Sequence, residues 1–201
     1  MHTPPAFAVD DALPLLRSAV SGDLVTSTDD GLLATLLPWT WSEERRSLQG
    51  HVARANPQWR TPARGDALVL LRAHEAYVSP SWYAAKREHG RVVPTWDYVQ
   101  VQVHGELVVH DDPAWLADVV DRLTARHEAG RAEPWAVEDA PAAWVAGQLR
   151  GVVGVEVRAT RVEAKAKLSQ NRSAADVDGV VAGLRADGLD AVADAVEAAR
   201  R

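Results

Sequence analysis

The sequence predicts an α+β fold built around an antiparallel sheet or small barrel, with helices at both ends of the chain. Three observations carry this. β-Branched and apolar runs bounded by turn residues crowd the middle of the chain, an Asp-Gly step joins two of them, and beyond Asp111 the apolar spacing changes from two residues to three and four.

The elements follow in order. Asp10 or Asp11 is placed to cap a short helix with Leu13, Leu16 and Val20 on its apolar side. Asp23–Thr28, the turn Asp29-Asp30-Gly31 and Leu32–Trp41 read as a hairpin, since Asp-Gly between β-prone runs favours a tight turn. A charged turn at Glu43–Arg46 leads to a strand near Leu48–Ala53. Asp66–Ala73, bounded by Gly65 and His74, suits a buried strand. Trp96–Val109 alternates, with Val99, Val101 and Val103 on one face and Gln100, Gln102 and His104 on the other.

Asp111-Asp112-Pro113 then supplies a cap and a first-turn proline to a helix with the stripe Trp115, Leu116, Val119, Val120 and Leu123. A second helix is expected near Pro141, burying Trp144, Val145 and Leu149. Val152–Val162 is again strand-like. From about Ala174 two short amphipathic helices follow, carrying Val177, Val180, Val181 and Leu184, then Leu189, Val192 and Val196. The reading is five or six strands in one domain over residues 1–201, with 174–201 as a C-terminal helical extension. No repeat of 20–50 residues recurs.

Composition sets limits. The 201 residues are 47% hydrophobic and 25% charged, the balance of a globular chain. The net charge of −6 does not favour a protein that coats nucleic acid, although a local basic patch is compatible with it. The absence of cysteine excludes disulfides, thiolate-bound zinc, iron–sulfur clusters and cysteine nucleophiles. The first residues do not read as a signal peptide, and no stretch approaches the roughly 18 apolar residues of a membrane span. A cytoplasmic protein is the expectation. Nucleotide-binding glycine loops, HExxH and GxSxG are missing, and the histidines have no i, i+4 pairing, so neither a catalytic residue nor a metal ligand is assigned.

Three segments are rich in residues that contribute little to a core. In Gly50–Trp59, Arg54 and Asn56 fall at the end of a strand, where backbone amides are expected to be free and a guanidinium beside a carboxamide suits a phosphate. An Arg paired with an acid and an Asn serving the turn before Pro57 fit the same residues. In Tyr77–Tyr83 and Val93–Tyr98, Ser79-Pro80 or Ser81 opens a helical turn, and the aromatics suit either stacking on a flat ligand or a core or subunit interface. In Lys165–Arg172, a basic loop is expected between strand and helix. Arg150–Arg172 holds six basic and two acidic residues, so this loop suits an anion or a partner chain. Alternatively Arg172 and Ser173 prepare the next helix, with Ser173 and Asp176 resembling a capping box.

Taken together, GHVARANPQW, YVSPSWY, VPTW-x-Y and KLSQNR, in this order, resemble the PaiB-type family of FMN-binding negative transcriptional regulators. The likeness runs from FAVDD through RHEAGR to the terminal helix. It implies an antiparallel split β-barrel of the FMN-binding type, related to pyridoxamine-phosphate oxidases, that forms a homodimer with FMN at the subunit interface. Carried over motif by motif, the implied cofactor-binding residues are His51, Arg54, Asn56, Ser79, Trp82, Tyr83, Thr95, Trp96, Lys167, Ser169, Gln170, Asn171 and Arg172. Two positions depart from the pattern. Asp97 stands where Asn is expected, and Gln102 where a histidine is commoner. An acid at 97 makes a neighbouring phosphate less comfortable.

The resemblance implies a regulator of transcription acting as a homodimer. A flavin-dependent oxidoreductase of small molecules is the alternative, because split barrels host both enzymes and binders. Haem binding ranks third, with His51, His104 or His127 as axial ligands. No helix-turn-helix pattern is present, and the charge does not favour direct DNA contact. Of the eight tryptophans, Trp59, Trp82 and Trp96 lie in the family motifs. Trp115 and Trp144 are expected in the core. Trp39, Trp41 and Trp135 stay unassigned, Trp39 being the one placed best to face a ligand.

Overall fold

The hairpin forms as its turn chemistry dictates. In the computed structural model, which describes residues 1–200, β1 (Ser21–Thr28) and β2 (Gly31–Pro38) pair antiparallel from Thr28↔Gly31 to Ser21↔Pro38. Gly31 takes φ +115°, and Thr28 Oγ1 donates to its carbonyl. The expected strand Leu32–Trp41 is instead two strands. Pro38 has no N–H to continue the ladder, and β3 (Thr40–Ser42) leaves to pair with β4 (Ser47–Ala53). Between them Trp39 is fully buried, its Nε1 donating to Gly22 O at 3.0 Å, so it is a core residue and does not face a ligand.

Three long strands follow. β5 (Ala67–Val78) runs past the expected end at Ala73. Residues 67, 69 and 71 are buried, then 76 and 78, so the alternation shifts by one residue around His74, which adopts φ +50°. That is the signature of a bulge, and it hides the continuation from any period-two reading. β6 spans Thr95–His110, and β7 spans Val152–Lys167, beyond the expected Val162. The sheet has seven strands, in the order β2-β1-β5-β6-β7-β4-β3. This curled antiparallel sheet with flanking helices is an α+β split β-barrel.

The described chain divides into two compact units. One comprises Leu13–Leu71 and Gln102–Val162. It contains the short helix α1 (Leu13–Ser18) and parts of all seven strands, with Leu24, Leu48, Val69, Val103, Val155 and Val157 in its core. α3 (Pro113–Glu128) is capped by Asp112, which accepts from Ala114 N and Trp115 N, and it buries Leu116, Val119 and Leu123. Trp115 lies on β7 where only glycine fits, since a Cβ at Gly154 would sit 2.2 Å from the indole. α4 (Ala142–Leu149) buries no residue. Trp144 is 57% exposed, contrary to the expected core position, because none of the described residues covers this helix closely enough.

The other unit comprises Met1–Ala12, Arg72–Val101 and the chain from Glu163. It holds the far ends of β5, β6 and β7, α2 (Ala84–Glu88), α5 (Ala174–Ala186) and α6 (Asp190–Ala198). Ser79 Oγ accepts from Ser81 N and opens the 3-10 turn Pro80–Trp82, as expected. Ser173 caps α5 through Asp176 N, but the capping box is half formed. The Asp176 carboxylate accepts from Ala85 N at 2.9 Å instead of returning to its own helix.

Candidate functional site

The motif residues separate into those that shape the backbone and those left available. Lys165–Lys167 is the end of β7 and not a loop, so the basic segment begins as strand. Lys167 Nζ donates to Trp96 O at 2.7 Å and to Thr95 Oγ1, and lies 3.4 Å from Asp97 Oδ1. Asp97 is fully buried and also accepts from Ser169 Oγ at 2.6 Å. Burial pushes its carboxyl up, against the opposing pull of Ser169 and Lys167. The acid that departs from the family pattern is therefore countered within the same unit.

Ser169 holds φ +63°, and Gln170 fixes the turn around it. Its Oε1 accepts from Leu168 N and its Nε2 donates to Ala166 O, both at 2.7 Å. Of KLSQNR, this leaves Asn171, which is exposed, and Arg172, whose guanidinium lies 4.6 Å from the centre of the Tyr83 ring. Tyr83 is 1% exposed, and among the described residues its hydroxyl has no partner in hydrogen-bonding geometry. Burial pushes this phenol up, so it stays protonated at neutral pH. Trp82 packs on α5, while Trp96 is 48% exposed. These residues, with Ser79 and Thr95, all belong to one unit.

His51, Arg54 and Asn56 belong to the other. The amides expected to be free are bonded, Arg54 N to Gly151 O and Asn56 N to Ala53 O. Arg54 grips both oxygens of Asp111 and donates to Arg150 O and Val152 O. That pairing holds the Asp111 carboxyl below its usual range. Asn56 Oδ1 accepts from Gln58 N, and its Nδ2 donates to Thr35 Oγ1. The ion pair and turn therefore account for both residues in this structure. His51 is half-buried with Nδ1 unpartnered, and burial lowers its pKa, so it is neutral at pH 7.

Two features escape a reading of the sequence by motif. Gln58 is 2% exposed. Its Nε2 donates to Leu24 O and Thr26 Oγ1, but its Oε1 has no donor. Glu156 is fully buried and accepts from Ser47 Oγ at 2.6 Å, Gln49 Nε2 at 3.0 Å and His110 Nε2 at 2.9 Å. Burial raises its carboxyl, but these bonds outweigh it and leave the pKa below the usual value. A lone acid inside the run Val152–Val157 was the available signal. Of the three histidines offered for haem, His127 is exposed, and His51 and His104 are half-buried on strands. Among the described residues no cluster of His, Asp and Glu has the arrangement of a metal site, and no helix is long and apolar enough to cross a membrane.

One face of the sheet is apolar and open. The register places Leu36 beside Asp23, Ala34 beside Val25, and Asp23 and Val25 beside Leu70 and Leu68. Leu32 is 74% and Leu36 66% exposed, with Val25, Leu68 and Leu70 half-buried. The opposite face, with Leu24, Val69 and Leu71, forms the core.

The chain is 31% identical over 191 residues to the protease synthase and sporulation protein PAI 2 of Bacillus subtilis, covering 92% of this chain and 89% of the relative. Its fold is similar to a conserved hypothetical protein of Mycobacterium tuberculosis (TM-score 0.61, 15% identity, 86% of this chain and 94% of the other). It is also similar to the FAD and heme binding protein of Mycobacterium smegmatis (TM-score 0.59, 18% identity, 88% and 78%). The profile of the family described as "Putative FMN-binding domain" matches residues 1–161. The chain therefore belongs to this FMN-binding domain family, in its PaiB-like branch, with FMN as the cofactor.

Proposed function

We propose that the protein acts in the cytoplasm as an FMN-binding homodimer that regulates transcription negatively. The observation that carries the dimer is the open apolar sheet face of Val25, Leu32, Ala34, Leu36, Leu68 and Leu70. A contiguous apolar surface of this kind is stabilised by burial against a partner, at about 25 cal/mol per Å2 removed from water.

The residues present fit FMN. Bound FMN supplies a redox-active flat ring and a phosphate dianion, for which a free cation and free donors are needed. Arg172 has no carboxylate within ion-pair distance among the described residues, and the buried Tyr83 hydroxyl beneath it lacks a partner. Asn171 is exposed beside them. Arg172, Tyr83 and Asn171 are thus the candidates for the phosphate, with Trp96 as a stacking surface. Lys167, Ser169, Gln170 and Thr95 hold this turn in shape through the bonds described above.

The regulatory reading does not need a broad DNA contact. The basic stretch from Arg150 is largely engaged within the chain. Arg158 lies near Glu106 and Glu156, Lys165 sits over the Tyr98 ring, and Lys167 is bonded to Trp96 and Asp97.

The test is a sizing column run on protein purified with added FMN. Flavin absorbance is expected to co-elute at the mass of two chains. Protein at monomer mass, or flavin eluting free, would overturn the reading. A gel-shift titration in rising salt complements it, and strong binding to unrelated duplex DNA at 150 mM salt would contradict regulation without a broad DNA contact.

A further inference from the structure

We infer that helix α4 is the second half of the dimer interface: each protomer lays α4, with Trp144 at its centre, across the open sheet face of its partner. This rests on the homodimer proposed above and specifies its surfaces.

The chain leaves two apolar faces uncovered. One is the sheet face. The other is α4, whose sequence AAWVAGQL contains no charged residue and of which no residue is buried. A surface helix without a polar face is not stable in water on its own account, since its apolar side chains gain nothing from their position. Trp135, just before it, is 45% exposed and extends the same apolar character.

Charge identifies the occupant. Asp23 lies within the sheet patch, between Leu36 and Leu70 in the register, and has no cationic partner among the described residues. Covering the patch would desolvate this carboxylate, so the covering surface must bring a cation. Arg150 follows α4 directly, is exposed and likewise has no acidic partner among the described residues. A second copy of this chain therefore presents both what the apolar sheet needs and what Asp23 needs. Under two-fold symmetry the contact occurs twice, which closes the assembly without generating a filament. Eight helical residues span about 12 Å. Two helix-on-sheet contacts, each removing on the order of 400 Å2 per side, reach the roughly 1,600 Å2 of a standard stable interface.

The chain has no cysteine, which makes the test clean. Leu36→Cys and Trp144→Cys are prepared as separate variants, mixed to exchange subunits and treated with a short bismaleimide. A covalent heterodimer in the mixture, exceeding that of either variant alone, is expected. Cross-linking of Leu36→Cys to itself but never to Trp144→Cys would overturn the inference. Charge reversal supplies a second arm. Asp23→Arg and Arg150→Asp should each weaken dimerisation about tenfold or more, and the double variant should recover most of that loss. Single and double variants that all dimerise like the parent would also overturn it, provided far-UV circular dichroism shows native secondary structure. If the parent itself runs as a monomer at all concentrations, the homodimer reading fails and this inference falls with it. A parent dimer with failed cross-links refutes the inference alone.

Discussion

Ser169 Oγ donates to Asp97 Oδ2 at 2.6 Å from a backbone turned to φ +63°. This bond joins the middle of KLSQNR to β6, which begins within VPTW at Thr95, and Lys167 Nζ reinforces it from 3.4 Å. A non-glycine residue in the left-handed region is held there by its surroundings, here by Asp97 and by the two Gln170 bonds. The turn presents Asn171 and Arg172 as a consequence. The acid at 97 is thus a structural anchor of the candidate phosphate site and not a charge facing it.

Replacing Asp97 with Ala should destabilise the protein by about 3 kcal/mol, since it leaves Lys167 half-buried with one fewer partner and removes the bond that holds Ser169. Asp97→Asn should be milder, because the carboxamide oxygen can still accept from Ser169. Urea denaturation of both variants checks this. Because burial raises the folded pKa of Asp97, this group favours the fold below its unfolded value of 3.8 and works against it as pH rises through the folded value. Asp97→Asn should therefore lose least, relative to the parent, at neutral pH.

Gly183 lies against the Trp82 indole, where an added Cβ would approach Cδ2 to 2.3 Å, and a Cβ added at Gly179 would clash with the Trp82 carbonyl oxygen. Gly183→Ala should cost about 2 kcal/mol through overpacking, in spite of the roughly 1 kcal/mol of helix propensity that alanine adds. In the background Trp82→Leu, which removes most of the obstructing ring, the same change should cost clearly less. Equal costs in both backgrounds, measured by chemical denaturation, would refute the contact as the cause.

Much of this was legible in the residues, and the exceptions have physical causes. The hairpin, the Asp112 cap and the Ser79 turn followed from turn and capping chemistry, which acts over a few residues. β5 was cut short because the bulge at His74 inverts its alternation. Trp144 reads as a core residue because an apolar helical stripe looks the same whether its cover lies in the chain or elsewhere. Arg54 had two readings, and the choice depended on Asp111, 57 residues away. Glu156 escapes a reading by motif because its partners Ser47, Gln49 and His110 come from two other strands, β4 and β6.

Trp39→Phe tests the placement of Trp39 in the core, a residue the sequence leaves unassigned. Its fully buried indole donates to Gly22 O, so the variant leaves a buried carbonyl without its donor and a void beside it. A loss of about 2 kcal/mol in stability is expected, with FMN affinity changed by less than about threefold. A large fall in FMN affinity with stability intact would place Trp39 at the site instead.

Glu156 should make the fold sensitive to acid. Its folded pKa lies below the unfolded value of 4.5, because the bonds from Ser47, Gln49 and His110 outweigh the cost of burial. A depressed carboxyl contributes its stability above the unfolded value and loses it as pH falls through the folded value. The parent should therefore lose stability progressively below about pH 4.5, whereas Glu156→Gln should show a shallower slope there and a lower plateau at pH 7. Identical slopes in the two proteins, followed by tryptophan fluorescence against urea at each pH, would refute the assignment.

Arg172→Ala should lower FMN affinity about tenfold or more while leaving the melting temperature nearly unchanged, as expected for a cation with no acid partner among the described residues. Arg54→Ala should do the reverse. Its guanidinium is bonded to Asp111 and to two backbone carbonyls, so its loss should loosen the junction of β4 with β7 and affect FMN only weakly. Fluorescence quenching of free FMN gives both affinities, and thermal melts of the same samples give the stabilities. If Arg54→Ala abolishes binding and Arg172→Ala does not, the phosphate belongs at the end of β4, with Asp111 displaced when the flavin enters. The paired design decides between the two guanidiniums because each variant carries its own stability control.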